Sequence, residues 1–436
     1  MAVSPPALRE ALADAVGGEH LVSDSAALAR YAVDGLTPRW VARAESVEGV
    51  SRLLALARGE GLAVAPRGSG SSLALGNPPR RLDVVLDLAR LSAITDYVPE
   101  DMVASVEAGL PLATLAGRLA ERGQMLALDP IGGSSRTIGG ILAANASGPL
   151  RTRYGTGRDL LLGTRFVQAD GTITWGGARV VKSVTGYDVP KLMVGSLGTL
   201  GVIVGATLRL HPLPPASRSW FIDLHAREAA ESFLAGLGDS TLEPDRVVLV
   251  NAGARHALGH TNHDLAVLVS IGSVDEAVLS QGAALARLAG AHGGEVRSLR
   301  SSDWGNLGAA LAGLVELKLS CEPARLVFWL AELERLSSRL GLPASIVAQA
   351  ANGCLQAALD GPVAGVTLHE HLLRPLRDGL GPEGGSLVVG RASADLKTHF
   401  DVWGPISLES LAIMTRLKRE FDPDGILNPG RFVGGL

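Results

Sequence analysis

Three glycine-rich stretches, each joined to an apolar segment, limit what this chain can fold into more than any other feature. The first is Pro66-Arg67-Gly68-Ser69-Gly70-Ser71-Ser72, directly after a predicted strand. Glycines admit positive φ, so successive N–H groups can converge into an anion-binding concavity; serine hydroxyls add donors and Arg67 adds charge. That chemistry suits a diphosphate. Leu73 stands where a dinucleotide-binding fingerprint needs its third glycine, so the stretch fails that motif. Taken alone, it reads equally well as a plain tight turn.

The second stretch is Pro130-Ile131-Gly132-Gly133-Ser134-Ser135-Arg136-Thr137-Ile138-Gly139-Gly140, continued by Ala143-Ala144-Asn145-Ala146-Ser147-Gly148. A flexible linker would not interleave Ile131, Ile138, Ile141 and Leu142. A backbone packed closely against a flat ligand would. The third runs from Lys182-Ser183-Val184-Thr185-Gly186-Tyr187-Asp188 to Gly195-Ser196-Leu197-Gly198-Thr199-Leu200-Gly201-Val202-Ile203. Residues 192–208 are uncharged, but they are short for a span and rich in Gly, Ser and Thr, so they read as a loop feeding a buried strand.

Around these stretches the chain is α+β. Helices at 7–16 and 47–58, each closed by glycines, alternate with short apolar runs at 62–65 and 82–88, the grammar of βαβ units. Residues 93–212 read instead as antiparallel strands, at 102–106, 164–168 and 202–210, with one helix at 112–119. The rigid His211-Pro212-Leu213-Pro214-Pro215 marks a boundary. Beyond it come strands at 247–250, 265–271 and 385–390 among alanine- and leucine-rich helices, and then a terminal helix with Leu408, Leu411, Met414, Leu417 and Phe421 on one face. The division is therefore 1–212 in two lobes (1–95 and 96–212), a second α+β unit at 213–395, and a closing segment at 396–436.

A formal net charge of −4 with no basic run argues against nucleic acid as a partner. Two cysteines, Cys321 and Cys354, exclude a disulfide framework and fall short of the about four thiolates of an iron–sulfur cluster. The first residues lack the basic and apolar regions of a secretory signal. A cytoplasmic setting is expected.

The C-terminal Asp422-Pro423-Asp424-Gly425-Ile426-Leu427-Asn428-Pro429-Gly430 makes the pattern specific. Three such loops in this order, ahead of this ending, resemble the two-lobed PCMH-type FAD-binding domain of the vanillyl-alcohol-oxidase superfamily. Arg179-Val180-Val181-Lys182-Ser183-Val184-Thr185-Gly186-Tyr187-Asp188, Val402-Trp403-Gly404-Pro405 and Asn428-Pro429-Gly430-Arg431-Phe432 resemble, within it, the FAD-binding subunits of bacterial glycolate oxidases.

The resemblance implies an α+β cap with an antiparallel sheet and a C-terminal segment that returns to the FAD domain. It assigns the cofactor to Pro66 through Ser72, then Pro130, Ile131, Gly132, Gly133, Ser134, Ser135, Thr137, Gly139, Asn145, Ser147 and Gly148. Gly198, Gly201, Val202, Ile203 and Asn428 complete the set. It implies non-covalent FAD, because Ser71 takes the position of the linking histidine and neither cysteine is near a flavin loop. It implies two partners, a catalytic flavoprotein paralogue and an iron–sulfur subunit, with peripheral attachment to the inner face of the membrane through that complex. A small hydroxy acid is the expected substrate.

Where hydroxy-acid dehydrogenases of the superfamily carry metal-binding and basic histidines, this chain reads Ala350-Ala351-Asn352-Gly353-Cys354-Leu355, which puts unaided hydroxy-acid oxidation in doubt. Lys318 and Arg325 lie where related flavoenzymes hold a substrate carboxylate; read from the residues alone, they are solvated charges on the cap surface. His256, His260 and His263, read as a loop, and His369-Glu370-His371 are spaced for a metal but read as solvated; no metal is expected.

Overall fold

The computed structural model describes residues 5–178, 187–260 and 265–436. The first lobe is a four-stranded sheet in the order Leu21–Val22, Trp40–Arg43, Val84–Asp87, Val64–Arg67; the last three are parallel and the first pair antiparallel. Val84–Asp87 is buried along its whole length, as a central parallel strand covered on both faces requires. Helices Pro5–Val16 and Val47–Gly59 pack Leu12, Val50, Leu53 and Leu54 over the sheet. The second helix starts where the Ser46 hydroxyl accepts the Gly49 N–H.

The second lobe is a five-stranded antiparallel sheet, Ile94–Val98, Val103–Glu107, Val202–Arg209, Leu161–Val167, Ile173–Gly177. Val202–Arg209 is its centre and is buried except at Gly205 and Arg209, so the uncharged stretch before it does feed a buried strand. Among the described residues no helix is long and apolar enough to cross a membrane. One element was not expected here. Ile138–Ala143 is a helix containing Gly139 and Gly140, because Ile138, Ile141 and Leu142 all reach the lobe's core and outweigh the poor helix propensity of glycine.

The cap is an eight-stranded antiparallel sheet. Its order is Glu295–Ser298, Ala216–Leu224, Leu265–Ser273, Arg246–Val250, Ala344–Gln349, Cys354–Leu359, Val315–Ser320, Ser386–Arg391. Sequence reading gives only three of these strands. Cys354–Leu359 is largely Ala, Leu and Gln, which favour helix locally, but six-residue pairing with Ala344–Gln349 fixes it as a strand. Helices Arg227–Gly238, Asp275–Ala291 and Leu326–Arg339 bury their apolar faces on one side of the sheet. On the other side a smaller apolar cluster meets Ile131 of the second glycine stretch.

Leu408–Phe421 then leads back to the first lobe. Ile426 and Leu427 enter that lobe's core, and the chain adds to the edge of Val64–Arg67: Val64 N–H donates to Ile426 O at 2.8 Å and Asn428 N–H to Val64 O at 2.9 Å. The apolar face of the helix is only half buried, with Leu408 80% exposed. Lys418 does not serve the helix dipole from the surface. It is buried, and its ammonium donates to Thr199 O at 2.8 Å, Leu427 O at 2.9 Å and Asp422 at 2.6 Å.

Candidate functional site

Parallel pairing sets Arg67 beside Asp87 in register, and the two side chains join at 3.1 Å. The guanidinium also lies 4.5 Å over the Tyr31 ring. Arg67 is therefore a fixed wall. Past it the chain turns through Gly70 at φ +83°, and the N–H groups of Gly68 to Ser72 donate to no acceptor among the described residues. Gly68 lies so close to the second stretch that a Cβ there would sit 2.0 Å from Thr137 Oγ1. Thr137 is 3% exposed, and its hydroxyl has no partner among the described residues.

The third stretch and the tail close the ring. Leu197 N–H donates to Ala143 O at 2.9 Å, and Asn428 Nδ2 donates to Leu197 O at 2.6 Å. A Cβ on Gly198 would lie 3.0 Å from Pro66. These elements line a narrow cavity of about 70 Å³ that includes residues 66–73, Thr137, Gly140, Ala143, Ala144, Leu197, Asn428 and Arg431. Three buried polar atoms on it, Arg67 Nε, Thr137 Oγ1 and Arg431 Nη1, lack hydrogen-bond partners. Unpaired buried donors of this kind are costly unless a ligand satisfies them.

A second cavity, of about 220 Å³, shares Ser71, Ser72 and Ala144 with the first and opens between the loops and the cap. Its near wall is Ala74, Leu75, Ile131, Arg136 and Asn145 to Ser147. Its far wall comes from three cap strands. Glu316 and Lys318 sit two residues apart on one face of Val315–Ser320, opposite Arg391 and Gln356 respectively. Glu316 is ion-paired to Arg391, and burial raises its carboxyl pKa. Burial lowers the pKa of the Lys318 ammonium, which makes no ion pair or hydrogen bond among the described residues. Burial also lowers that of Arg136, whose Nε is unpartnered. Three cations face one carboxylate. Such a cavity calls for an anion.

Other expected site residues stand elsewhere. Gly132, Gly133, Ser134 and Ser135 are exposed, outside both cavities, and Gly132 abuts Gly308 of the cap. Pro130 is buried and lines neither cavity. Gly139, Gly148 and Gly201 are needed by the chain itself, since a Cβ would meet Ala108 at 2.6 Å, Asp129 O at 1.6 Å and Phe166 at 2.9 Å. Val202 and Ile203 belong to the two lobe cores. Arg325 lines neither cavity: it pairs with Glu383 at 3.1 Å and stacks 4.0 Å over Phe328.

His256 is at the end of helix Ala252–Ala257, not in a loop, because Asn251 caps that helix through the Ala254 N–H. His369 and His371 lie in a helical turn. His263, and residues 179–186 of the third stretch, lie outside the described residues. No cluster of three or more metal-ligating side chains occurs among the described residues. Arg136, Glu316, Gln356, Arg391 and Arg431 were missed. The alternation in Val-Glu-Leu-Lys-Leu-Ser at 315–320 was the available signal, since it places Glu316 and Lys318 on one strand face.

The comparisons agree with this geometry. A family model described as an FAD binding domain matches residues 38–177, and one for the C-terminal domain of FAD-linked oxidases matches residues 405–432. The p-cresol methylhydroxylase structure with substrate bound superposes with a TM-score of 0.77 over 98% of this chain and 96% of that one, at 16% identity. The chain thus has the PCMH-type FAD-binding fold, with segments similar to an FAD binding domain and to the C-terminal domain of FAD-linked oxidases, and FAD is its cofactor. Two similar proteins are more specific. The D-2-hydroxyglutarate dehydrogenase of Xanthomonas citri pv. viticola is 35% identical over 49% of this chain and 46% of its own. Glycolate oxidase subunit GlcE of Escherichia coli is 37% identical over 37% of this chain and 46% of its own. The match spans about half the length of these curated relatives.

The residues present fit the cofactor. Unpartnered donors, free N–H groups and glycines whose Cβ would close the gap suit a diphosphate at Gly68 to Ser72, Thr137 and Arg431.

Proposed function

We propose that this chain is the FAD-binding subunit of a glycolate oxidase-type (2-hydroxy-acid dehydrogenase) complex. It would act in oxidising glycolate to glyoxylate with a paralogous catalytic flavoprotein and an iron–sulfur subunit. The observation that carries the reading is the unpaired Lys318 ammonium in a cavity continuous with the flavin cradle. A buried cation without a counter-ion suits the carboxylate of a small hydroxy acid. The names of the relatives, a glycolate oxidase subunit and a 2-hydroxyglutarate dehydrogenase, support the same substrate class.

Bound FAD supplies a two-electron acceptor for the hydrogen leaving the carbinol carbon with its electron pair. This chain's residues hold the carboxylate at Lys318 and Arg136, while Ile131 and Leu311 keep that side of the cavity apolar. The hydroxyl proton needs an acceptor. The single carboxylate of the lining, Glu316, is committed to Arg391, and no histidine lines the cavity among the described residues. This favours turnover that depends on the paralogue. The reading assigns 1–212 to the flavin domain, 213–395 to the cap and 396–436 to the closing segment. It makes the flavin non-covalent, since Ser71 is in the first loop and both cysteines are buried free thiols of the cap.

The test is anaerobic reduction of the purified flavoprotein by glycolate or D-lactate, with and without the partners copurified from the native source. Flavin reduced only with partners present supports the subunit. Bleaching by substrate alone supports a free-standing oxidoreductase. Flavin that stays oxidised in a turning-over complex makes the chain a scaffold. Acid precipitation should leave the flavin in the supernatant; colour retained in the pellet contradicts the non-covalent assignment.

A further inference from the structure

Segment 73–76, which continues the first glycine stretch, turns four successive carbonyls onto two buried cations from the last 40 residues of the chain. Lys397 Nζ donates to Ala74 O at 2.5 Å and Gly76 O at 3.1 Å. Arg431 Nη2 donates to Leu73 O at 2.6 Å and to Leu75 O. One carboxylate, Asp34, answers both: it lies 2.9 Å from Lys397 Nζ and 3.9 Å from Arg431 Nη1. All three side chains are buried, with exposures of 5%, 0% and 4% for Asp34, Lys397 and Arg431. The contact is tight from the other direction as well. Gly76 has φ +103°, and a Cβ there would sit 2.7 Å from Arg431 O. That carbonyl also accepts the Asn77 N–H and the Trp403 indole N–H, both at 3.0 Å.

We propose that Asp34, Lys397 and Arg431 form a buried charge clasp that positions segment 73–76 and makes cofactor loading and seating of the C-terminal segment one coupled event. The inference rests on the assignment of FAD to the cradle. Leu73 and Arg431 line the narrow cavity, and Ala74 and Leu75 line the wider one, so the clasp fixes the walls of both. Two cations against one carboxylate leave an uncompensated buried charge, and Arg431 Nη1 lacks a hydrogen-bond partner at the cavity. An anionic diphosphate bound there offsets that charge and stabilises the seated tail. By reciprocity, the seated tail strengthens FAD binding by the same factor. Asp34 and Lys397 are thus positioning residues, and Arg431 is shared between the clasp and the cofactor.

The experiment uses the full chain stripped of flavin and titrated with FAD. The double variant Asp34→Leu/Lys397→Leu removes one charge of each sign, so the net charge of the clasp is unchanged and Arg431 keeps its bonds to Leu73 O and Leu75 O, while the tie from Lys397 to Ala74 O and Gly76 O is lost. The clasp predicts a folded apoprotein whose FAD dissociation constant rises by about tenfold or more, the usual scale of coupling between sites. A purely structural role lowers the thermal midpoint of the apoprotein and leaves the FAD dissociation constant of the folded fraction unchanged, which overturns the proposal. Lys397→Arg, which keeps the charge, should restore most of the affinity. If the double variant does not fold, hydrogen exchange on the parent decides: FAD should raise protection at 73–77 and 426–431 together. Protection confined to 68–72 overturns the coupling. A parent that binds no FAD also overturns it, and locates the failure in the cradle assignment itself.

Discussion

The two walls of the site are built by opposite means. The flavin wall is backbone: Gly68 against Thr137, Gly198 against Pro66 and Asn428 against Leu197 leave little room for a side chain to change without moving the chain. The cap wall is side chains, with Glu316, Lys318, Gln356 and Arg391 projecting from strands whose backbones are already paired. Substitutions on the first wall should therefore act on cofactor retention. Substitutions on the second should act on the substrate and leave the cofactor in place.

The largest expected effect is on the backbone wall. Gly68→Val drives a branched side chain into Thr137 and spoils the N–H cradle. Losing two charge-assisted hydrogen bonds at ~1.5–3 kcal/mol each weakens FAD binding roughly a hundredfold or more. The apoprotein should still fold, and flavin content after purification is the readout. Parent-level flavin in Gly68→Val would break the distinction between the walls.

Lys318→Met comes next. Loss of one charge-assisted contact, ~1.5–3 kcal/mol, should raise the KM for a 2-hydroxy acid by about 10- to 150-fold in the assembled complex, with flavin content unchanged. A variant that loses flavin instead would show that Lys318 belongs to the cofactor wall.

The loop wall was legible only in part, at residues 66–72, Thr137 and Asn428, and for a physical reason. Close backbone approach demands glycine, and glycine is visible in any sequence. What the sequence could not tell was which partner each glycine approaches: at Gly139, Gly148 and Gly201 it is the protein itself, and only tertiary packing reveals that. The cap wall was almost illegible. Lys318 was singled out by resemblance alone, whereas Glu316, Gln356 and Arg391 converge only because strands distant in sequence become neighbours in the sheet, and Arg136 meets them from the second glycine stretch. Arg431, named only as part of the tail motif, gave no local hint that its guanidinium would be buried beneath segment 73–76.

Asn428→Ala should have a smaller effect. It removes the bond to Leu197 O and places alanine at φ +43°, which together cost ~1–2 kcal/mol, or roughly five- to thirtyfold in FAD affinity. Asn428→Gly keeps the backbone conformation accessible and isolates the side chain's share. Equal FAD affinity in the parent and both variants would detach the tail from the cofactor wall. The smallest effect belongs to Arg325→Ala. Arg325 pairs with Glu383 at the surface, so the KM should move by less than about twofold, within the range of an exposed ion pair. A shift as large as that of Lys318→Met would place the substrate site elsewhere on the cap.

If both walls enclose one site, the anion pocket at Lys318 lies next to the flavin. Titrating the FAD-loaded protein with oxalate, a carboxylate dianion that carries no oxidisable hydroxyl, tests this most directly through the visible flavin spectrum. A saturable perturbation of the flavin bands is expected in the parent and should be lost in Lys318→Met at equal flavin content. A spectrum that ignores oxalate in the parent, or responds identically in the variant, would contradict it.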